Sequence, residues 1–202
     1  MPDADFWNAR YAAPGWVYGE APNAFVAAHA DRIEAGAAVV EVGAGEGRNA
    51  AFLSHRGYTV TAVDASAEGL AKIARLPGGD AVETVVADVT TWAPGRVWDA
   101  AVTTFLHLAP ADRPALYRCL QQSVRPGGLV LAEWYRPEQR ARGWHGGPPD
   151  AAWMPTRAEL ADAFPETGIS MLEEADVDLD EGSGHQGPGA VVRLIWKRPE
   201  AS

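Results

Sequence analysis

The chain has 202 residues, the length of one ordinary domain, and its 47% hydrophobic residues suffice for a sizeable core. Its net charge of −10 argues against a nucleic-acid backbone or an anionic membrane as partner. One cysteine excludes an internal disulfide and fits a reducing compartment. No apolar run reaches the roughly 18 residues of a membrane span, and the start lacks a secretion-signal pattern, so a cytoplasmic monomer or homodimer is expected.

The N-terminal stretch is aromatic: Phe6, Trp7, Tyr11, Trp16 and Tyr18. Asp5 to Tyr11 reads as a short helix with Trp7 and Tyr11 on one face. Pro14, Gly15, Gly19 and Pro22 then make a loop. Asn23 caps a helix running to about Glu34, on which His29 is a packed histidine.

Val39, Val40 and Val42 are β-branched, as in a strand buried on both faces, with Glu41 interrupting them. The pattern E-x-G-x-G-x-G follows from Glu41 to Gly47, and a helix occupies Arg48 to Arg56. Thr59 to Val63 is the second strand, closed by Asp64. A dinucleotide fingerprint, G-x-G-x-x-G, would need a third glycine at position 48, where Arg48 stands. An adenosyl amino acid has no phosphate, but it carries an ammonium and a ribose diol. Acids at the ends of two strands, with bare backbone between them, suit those groups.

Ser66 caps a helix over Ala67 to Leu76. Val82 to Ala87 is the third strand, followed by Asp88, and Asp99 to Thr104 is the fourth, followed by Phe105. Ligands in such sheets bind outside the carboxyl ends of the strands, which puts His107 near the site as a base, a substrate ligand or a packed residue. Asp112 and Pro114 open a helix to about Val124 with Cys119 on its buried stripe. Arg125 to Gly128 reads as a turn into the fifth strand, Leu129 to Trp134.

Tyr135 to Pro155 lacks periodicity and reads as a long surface insertion. Arg136, Arg140, Arg142 and His145 make it locally basic, which suits either an anionic substrate or a solvated loop. Thr156 to Glu159 is a capping box. Ile169 to Leu179 and Val191 to Lys197 are the last strands, joined by a glycine-rich crossover holding His185.

The stretch Val39 to Asp64 resembles motif I and the acidic loop of class I S-adenosylmethionine (SAM)-dependent methyltransferases. The likeness extends from FWNARY to VVRLIWKRP and is greatest to small bacterial enzymes of the tellurite-resistance and thiopurine-methyltransferase type. It implies an α/β Rossmann-like fold: a seven-stranded, mostly parallel sheet with an antiparallel last strand and helices on both faces. Residues 1–35 would be lid and first helix, 36–134 the SAM-binding core, and 135–202 the substrate side. Gly43, Ala44 and Gly45 would contact the methionyl end, together with Glu41, Arg48 and Asn49. Asp64, Ala65 and Ser66 would take the ribose. Asp88 and Val89 would take the adenine, with Thr104 and Phe105 completing the cofactor set. Trp16, Tyr18 and Gly19 would be lid contacts.

The resemblance implies methyl transfer from SAM, leaving S-adenosylhomocysteine, to a small molecule through a thiol, chalcogen oxyanion or hydroxyl. His107, His185 and Tyr18 are the candidate catalytic groups, and no metal is expected. Gln186 follows His185 where tellurite-type relatives carry a basic residue, which sets tellurite itself apart. A SAM-binding regulator without catalysis, or an NAD-dependent oxidoreductase, are the alternative readings.

Overall fold

The β-branched run at Val39 forms β1 (Ala38–Val42), and the sheet grows from it in both directions. This computed structural model describes residues 3–200; residues 1, 2, 201 and 202, at the ends of the expected N- and C-terminal segments, lie outside the described residues. On one side β1 pairs with β2 (Thr59–Asp64) and then β3 (Glu83–Val86). On the other it pairs with β4 (Trp98–Thr104), then β5 (Val124–Tyr135), β7 (Gln186–Lys197) and β6 (Ile169–Asp180). Pairings from β3 to β5 are parallel, and β7 is antiparallel to both neighbours. The sheet is therefore seven-stranded and mostly parallel, as the resemblance implies.

Side chains alternate across the sheet and meet helices on each face. Val40, Val42, Ala101 and Val130 belong to the core under α5 (Arg113–Ser123) and α7 (Arg157–Ala163), which also contains Cys119. Val39, Ala100, Val102 and Leu131 belong to the opposite core. That core packs under α2 (Ala24–His29), α3 (Arg48–His55) and α4 (Ala67–Lys72). The first helix, α1 (Ala4–Tyr11), lies against α4.

Three expected boundaries move. Arg125 to Gly128 is not a separate turn: Val124 already pairs with Trp98, and the register then jumps to Ala100 opposite Leu129, so these residues bulge out of β5. The expected crossover is a hairpin, because β6 and β7 pair as far as Asp180 with Gln186. Only residues 181–185 form its loop. Nor is the stretch from Tyr135 to Pro155 a loose surface loop. It carries α6 (Glu138–Ala141), and Gln139 and Met154 are buried. Its elements are one turn long, too short to show a period.

No helix among the described residues is long and apolar enough to cross a membrane.

Candidate functional site

β1, β2 and β4 end at the same level, and the glycine turn after β1 folds over them. Nearly every donor of that turn is consumed inside the protein. Gly43 and Ala44 N–H donate to the Val63 carbonyl at 2.8 and 3.0 Å, and Gly47 N–H donates to Ala44. Gly45 N–H donates to Asp64 Oδ2 at 2.7 Å, while Asp64 Oδ1 accepts from Ser66 N–H. The turn thus offers few backbone donors to a phosphate, and Glu41, Glu46 and Asp64 all border the cavity beneath it. An anion would meet carboxylates there instead of a nest of N–H groups.

This first cavity has a volume of about 120 Å³. Gly43, Ala44, Gly45, Arg48 and Asn49 form its floor, with Ala65, Asp88, Val89, Thr104 and Phe105 around it. Tyr11 and Tyr18 close it from the N-terminal side. Three residues bordering it each carry a buried atom with no hydrogen-bond partner: Glu41 Oε2, Arg48 Nη1 and His185 Nδ1. Burial pushes the Glu41 carboxyl up to about 7, against the Asn49 hydrogen bond and the Arg48 charge. Burial likewise raises Asp64.

Below the floor runs a buried polar network. Arg48 Nη2 pairs with Glu181 Oε2 at 2.6 Å, with both side chains under a tenth exposed. Asn23 Nδ2 donates to Glu133 Oε1 at 2.7 Å and to Glu181 Oε1 at 3.2 Å. Asn49 Nδ2 donates to Glu41 Oε1 at 2.8 Å and to Thr104 Oγ1 at 3.1 Å. Arg193 Nε donates to Glu133 Oε2 at 2.6 Å. Burial works against charge on Glu181, yet His185 and Arg48 hold its carboxyl down to about 2.

The N-terminal strap is held from both sides. Glu46 Oε2 accepts from Val17 N–H at 2.9 Å, and Glu46 Oε1 pairs with Lys72 Nζ at 2.8 Å. Lys72 also donates to the carbonyls of Ala13 and Gly15. From the other side, Gly184 N–H donates to the Val17 carbonyl. Gly182 meets Gly19 so closely that a Cβ on Gly182, whose φ is +76°, would stand 2.3 Å from the Gly19 nitrogen.

A second, larger chamber of about 650 Å³ adjoins the first. Trp7, Tyr18, Phe105, Leu106 and His185 border both spaces. Phe105 is the one described non-glycine residue with positive φ, 54°. This backbone strain, set at the junction, is of the kind found at binding sites. The His185 ring lies 4.2 Å from Phe105 and 4.5 Å from Tyr18. Its Nδ1 stands 3.9 Å from Glu181 Oε2, and burial lowers its pKa. His185 is buried.

Of the residues expected at the site, Tyr18 and His185 sit at the junction, and His107 lines only the larger chamber. Trp16 and Ser66 border neither space. The Trp16 ring lies 5.7 Å from both the Lys72 and Arg75 cations. Ser66 is buried, caps α4 by accepting from Gly69 N–H, and donates to Asn8 Oδ1 at 2.8 Å.

The arginines of the basic insertion are also engaged within the protein. Arg136 and Arg142 both pair with Asp176 at 2.7 Å, and Arg140 donates to the carbonyls of Gly146, Gly147 and Pro148. Sequence reasoning passed over Glu46, Lys72, Asn23, Glu133 and Glu181. A charged residue inside the glycine turn was the one local hint, at Glu46. No group of three or more metal-ligating side chains occurs among the described residues.

Residues 39–128 match a family model described as a methyltransferase domain. No curated protein matches the chain. A solved structure concerned with converting a disulfide bond into a thioacetal group during echinomycin biosynthesis has a TM-score of 0.74 at 20% identity, over 98% of this chain and 94% of that one. TehB from Haemophilus influenzae gives 0.68 at 18% identity, over 96% of this chain and 66% of that one. A 1,6-didemethyltoxoflavin-N1-methyltransferase from Burkholderia thailandensis, bound to 1,6-didemethyltoxoflavin and S-adenosylhomocysteine, gives 0.59 at 20% identity, over 85% and 75%. Residues 39–128 thus match a methyltransferase domain, and the chain around them has the Rossmann-like fold shared by these solved structures.

Proposed function

We propose that this protein transfers the methyl group of SAM to a small molecule held in the larger chamber. The observation that carries this is the pairing of an unmet acceptor and an unmet donor, Glu41 Oε2 and Arg48 Nη1, beside a glycine turn whose own donors are spent. An amino-acid zwitterion satisfies both atoms at once, its ammonium at Glu41 and its carboxylate at Arg48. A pyrophosphate satisfies neither Glu41 nor the acidic rim, which weighs against the nicotinamide alternative.

When bound, SAM supplies a methyl group made electrophilic by its sulfonium. The chain's task is then alignment and exclusion of water. Glu41, Arg48 and Asn49 would hold the amino-acid end, and Asp64, kept in place by Gly45 and Ser66 N–H groups, would take the ribose. Tyr18, Phe105 and His185 wall the junction through which an acceptor atom must approach. A hydroxyl acceptor needs a base, and His185, buried beside Glu181, is the group at the junction able to take its proton. A thiolate or chalcogen oxyanion needs none. The first cavity, about 120 Å³, is smaller than the roughly 300–1,000 Å³ of a typical ligand site. Loading therefore moves the strap of Tyr11 to Gly19 outward, as a lid does.

Calorimetric titration with SAM, S-adenosylhomocysteine and NAD tests this. SAM and its product are expected to bind and to change tryptophan fluorescence through Trp7; binding of NAD in their place would overturn the reading. Tight SAM binding with no turnover on thiols, oxyanions or hydroxyls would favour the regulator alternative.

A further inference from the structure

The larger chamber has unmet contacts of its own, and they narrow its occupant further than size does. Five aromatic side chains, Phe6, Trp7, Tyr18, Phe105 and Trp153, face one space. Walls of this kind favour a flat π-system over a flexible chain. The charged groups around the space are unequal. Arg140 is spent on three carbonyls, and Asp150 accepts from Ala152 N–H. Arg10, in the last turn of α1, has no carboxylate partner among the described residues; its guanidinium lies 5.6 Å from the Tyr18 ring centroid. In a protein of net charge −10, the guanidinium groups of Arg10 and Arg140 are the chamber's attraction for an anion, and Arg10 is the one whose N–H groups are not taken by carbonyls.

His107 supplies the third unmet contact. Both of its ring nitrogens are buried and neither has a hydrogen-bond partner. A neutral imidazole presents one donor and one acceptor. An occupant with a hydroxyl or ring nitrogen in reach would satisfy one of them.

We propose that the chamber binds a planar aromatic acid. Its ring lies among the aromatic walls, its anionic group pairs with Arg10, and a polar ring substituent meets His107. This rests on reading the chamber as the acceptor site.

The test uses the whole protein saturated with S-adenosylhomocysteine. It is titrated calorimetrically with benzoate, 3- and 4-hydroxybenzoate, 2-naphthoate and indole-3-acetate. Each is run beside its carboxamide, with cyclohexanecarboxylate as the non-planar acid. At least one aromatic acid is expected to bind about tenfold more tightly than its amide and than the cyclohexane acid. Arg10→Gln should remove that preference and leave amide binding within about twofold, while Arg10→Lys keeps part of it. His107→Phe should erase any advantage of a hydroxybenzoate over benzoate. The proposal is overturned if acids and amides bind alike, if Arg10→Gln changes nothing, or if no acid binds below about 10 mM. The two readings fail separately. Aromatic-acid binding through Arg10 without S-adenosylhomocysteine binding would sink the cofactor assignment alone. S-adenosylhomocysteine binding with no Arg10-dependent acid would sink the acceptor class alone.

Discussion

The cofactor cavity and the acceptor chamber share a wall but are built from different kinds of chain. The floor of the first comes from one β–turn–α–β run, where each strand end is fixed by its parallel neighbours and nearly every turn donor has a partner within the run. The chamber is assembled from α1 and the strap, the segment after β4, the insertion after β5, and the β6–β7 loop, which meet only in the folded state. The difference teaches where each can fail. The floor depends on local geometry, so damage to it is damage to the fold. The chamber depends on a few long-range clamps, so it can open while the floor survives.

The sharpest break in that contrast is at Glu181, which belongs to the chamber's loop yet pairs with Arg48 of the floor. Glu181→Ala leaves a buried guanidinium without its carboxylate and removes acceptors from Asn23 and Ala24. Breaking a buried pair in this way costs about 3–5 kcal/mol. For a chain of this length the melting temperature should fall by on the order of 10 °C. Scanning calorimetry checks it, and a fall of under about 2 °C would show that floor and loop are not coupled through this pair.

Gly182→Ala tests the clamp without touching the floor. The added Cβ meets the Gly19 backbone at 2.3 Å in a left-handed residue, so strap and loop must part. A loss of about 2–3 kcal/mol is expected, with faster proteolysis inside the strap. S-adenosylhomocysteine should still bind. If binding disappears along with the clamp, the two regions are one unit and the contrast is wrong.

The same contrast explains what could be read from the amino acids. The floor was legible because β-branched runs, the glycine turn and Asp64 lie within a short stretch whose periodicities are local. The partners of that floor were not. Arg48 and Glu181 are separated by 133 residues, and no local pattern links them. The insertion misled for a related reason. Its arginines look free when charges are counted along the chain, but Asp176 on β6 faces two of them. Trp16 and Ser66 followed the resemblance into the cofactor set, while packing gave Trp16 to Lys72 and Arg75 and gave the Ser66 hydroxyl to the α4 cap and Asn8.

Glu41 sharpens the account of the floor through pH. Its carboxyl is raised by burial to about 7, so it is largely neutral at about pH 5.5 and half ionised at about pH 7. An ammonium binds the ionised form. S-adenosylhomocysteine affinity should therefore rise by about tenfold over that interval, and Glu41→Gln should flatten the rise. Stability of the free protein carries the opposite sign. A folded-state pKa above the unfolded value gives stability that is complete below the unfolded pKa and is lost as pH climbs through 7. The melting temperature without ligand should thus decline over the window in which affinity grows. Parallel changes in the two would mean that Glu41 is not the group responsible.

The smallest effect separates the strap's anchor from its lining. Trp16 rests over Lys72 and Arg75 and borders neither cavity, although it lies two residues from Tyr18, which borders both. Trp16→Ala removes two cation–π contacts at a half-exposed site, worth about 0.5–1 kcal/mol each, while Glu46 keeps its hold on Lys72 and on the Val17 N–H. The melting temperature should drop by only a few degrees. S-adenosylhomocysteine affinity should stay within about twofold of wild type, because every polar group assigned to the ligand lies elsewhere. Tyr18→Ala, by contrast, removes the ring packed at a tilt against His185 and should weaken acceptor and cofactor together. Titrating the two variants side by side decides whether closure works through the residues that line the cavities or through the residue that pins the strap from outside. A loss of affinity in Trp16→Ala equal to that in Tyr18→Ala would assign closure to the pin.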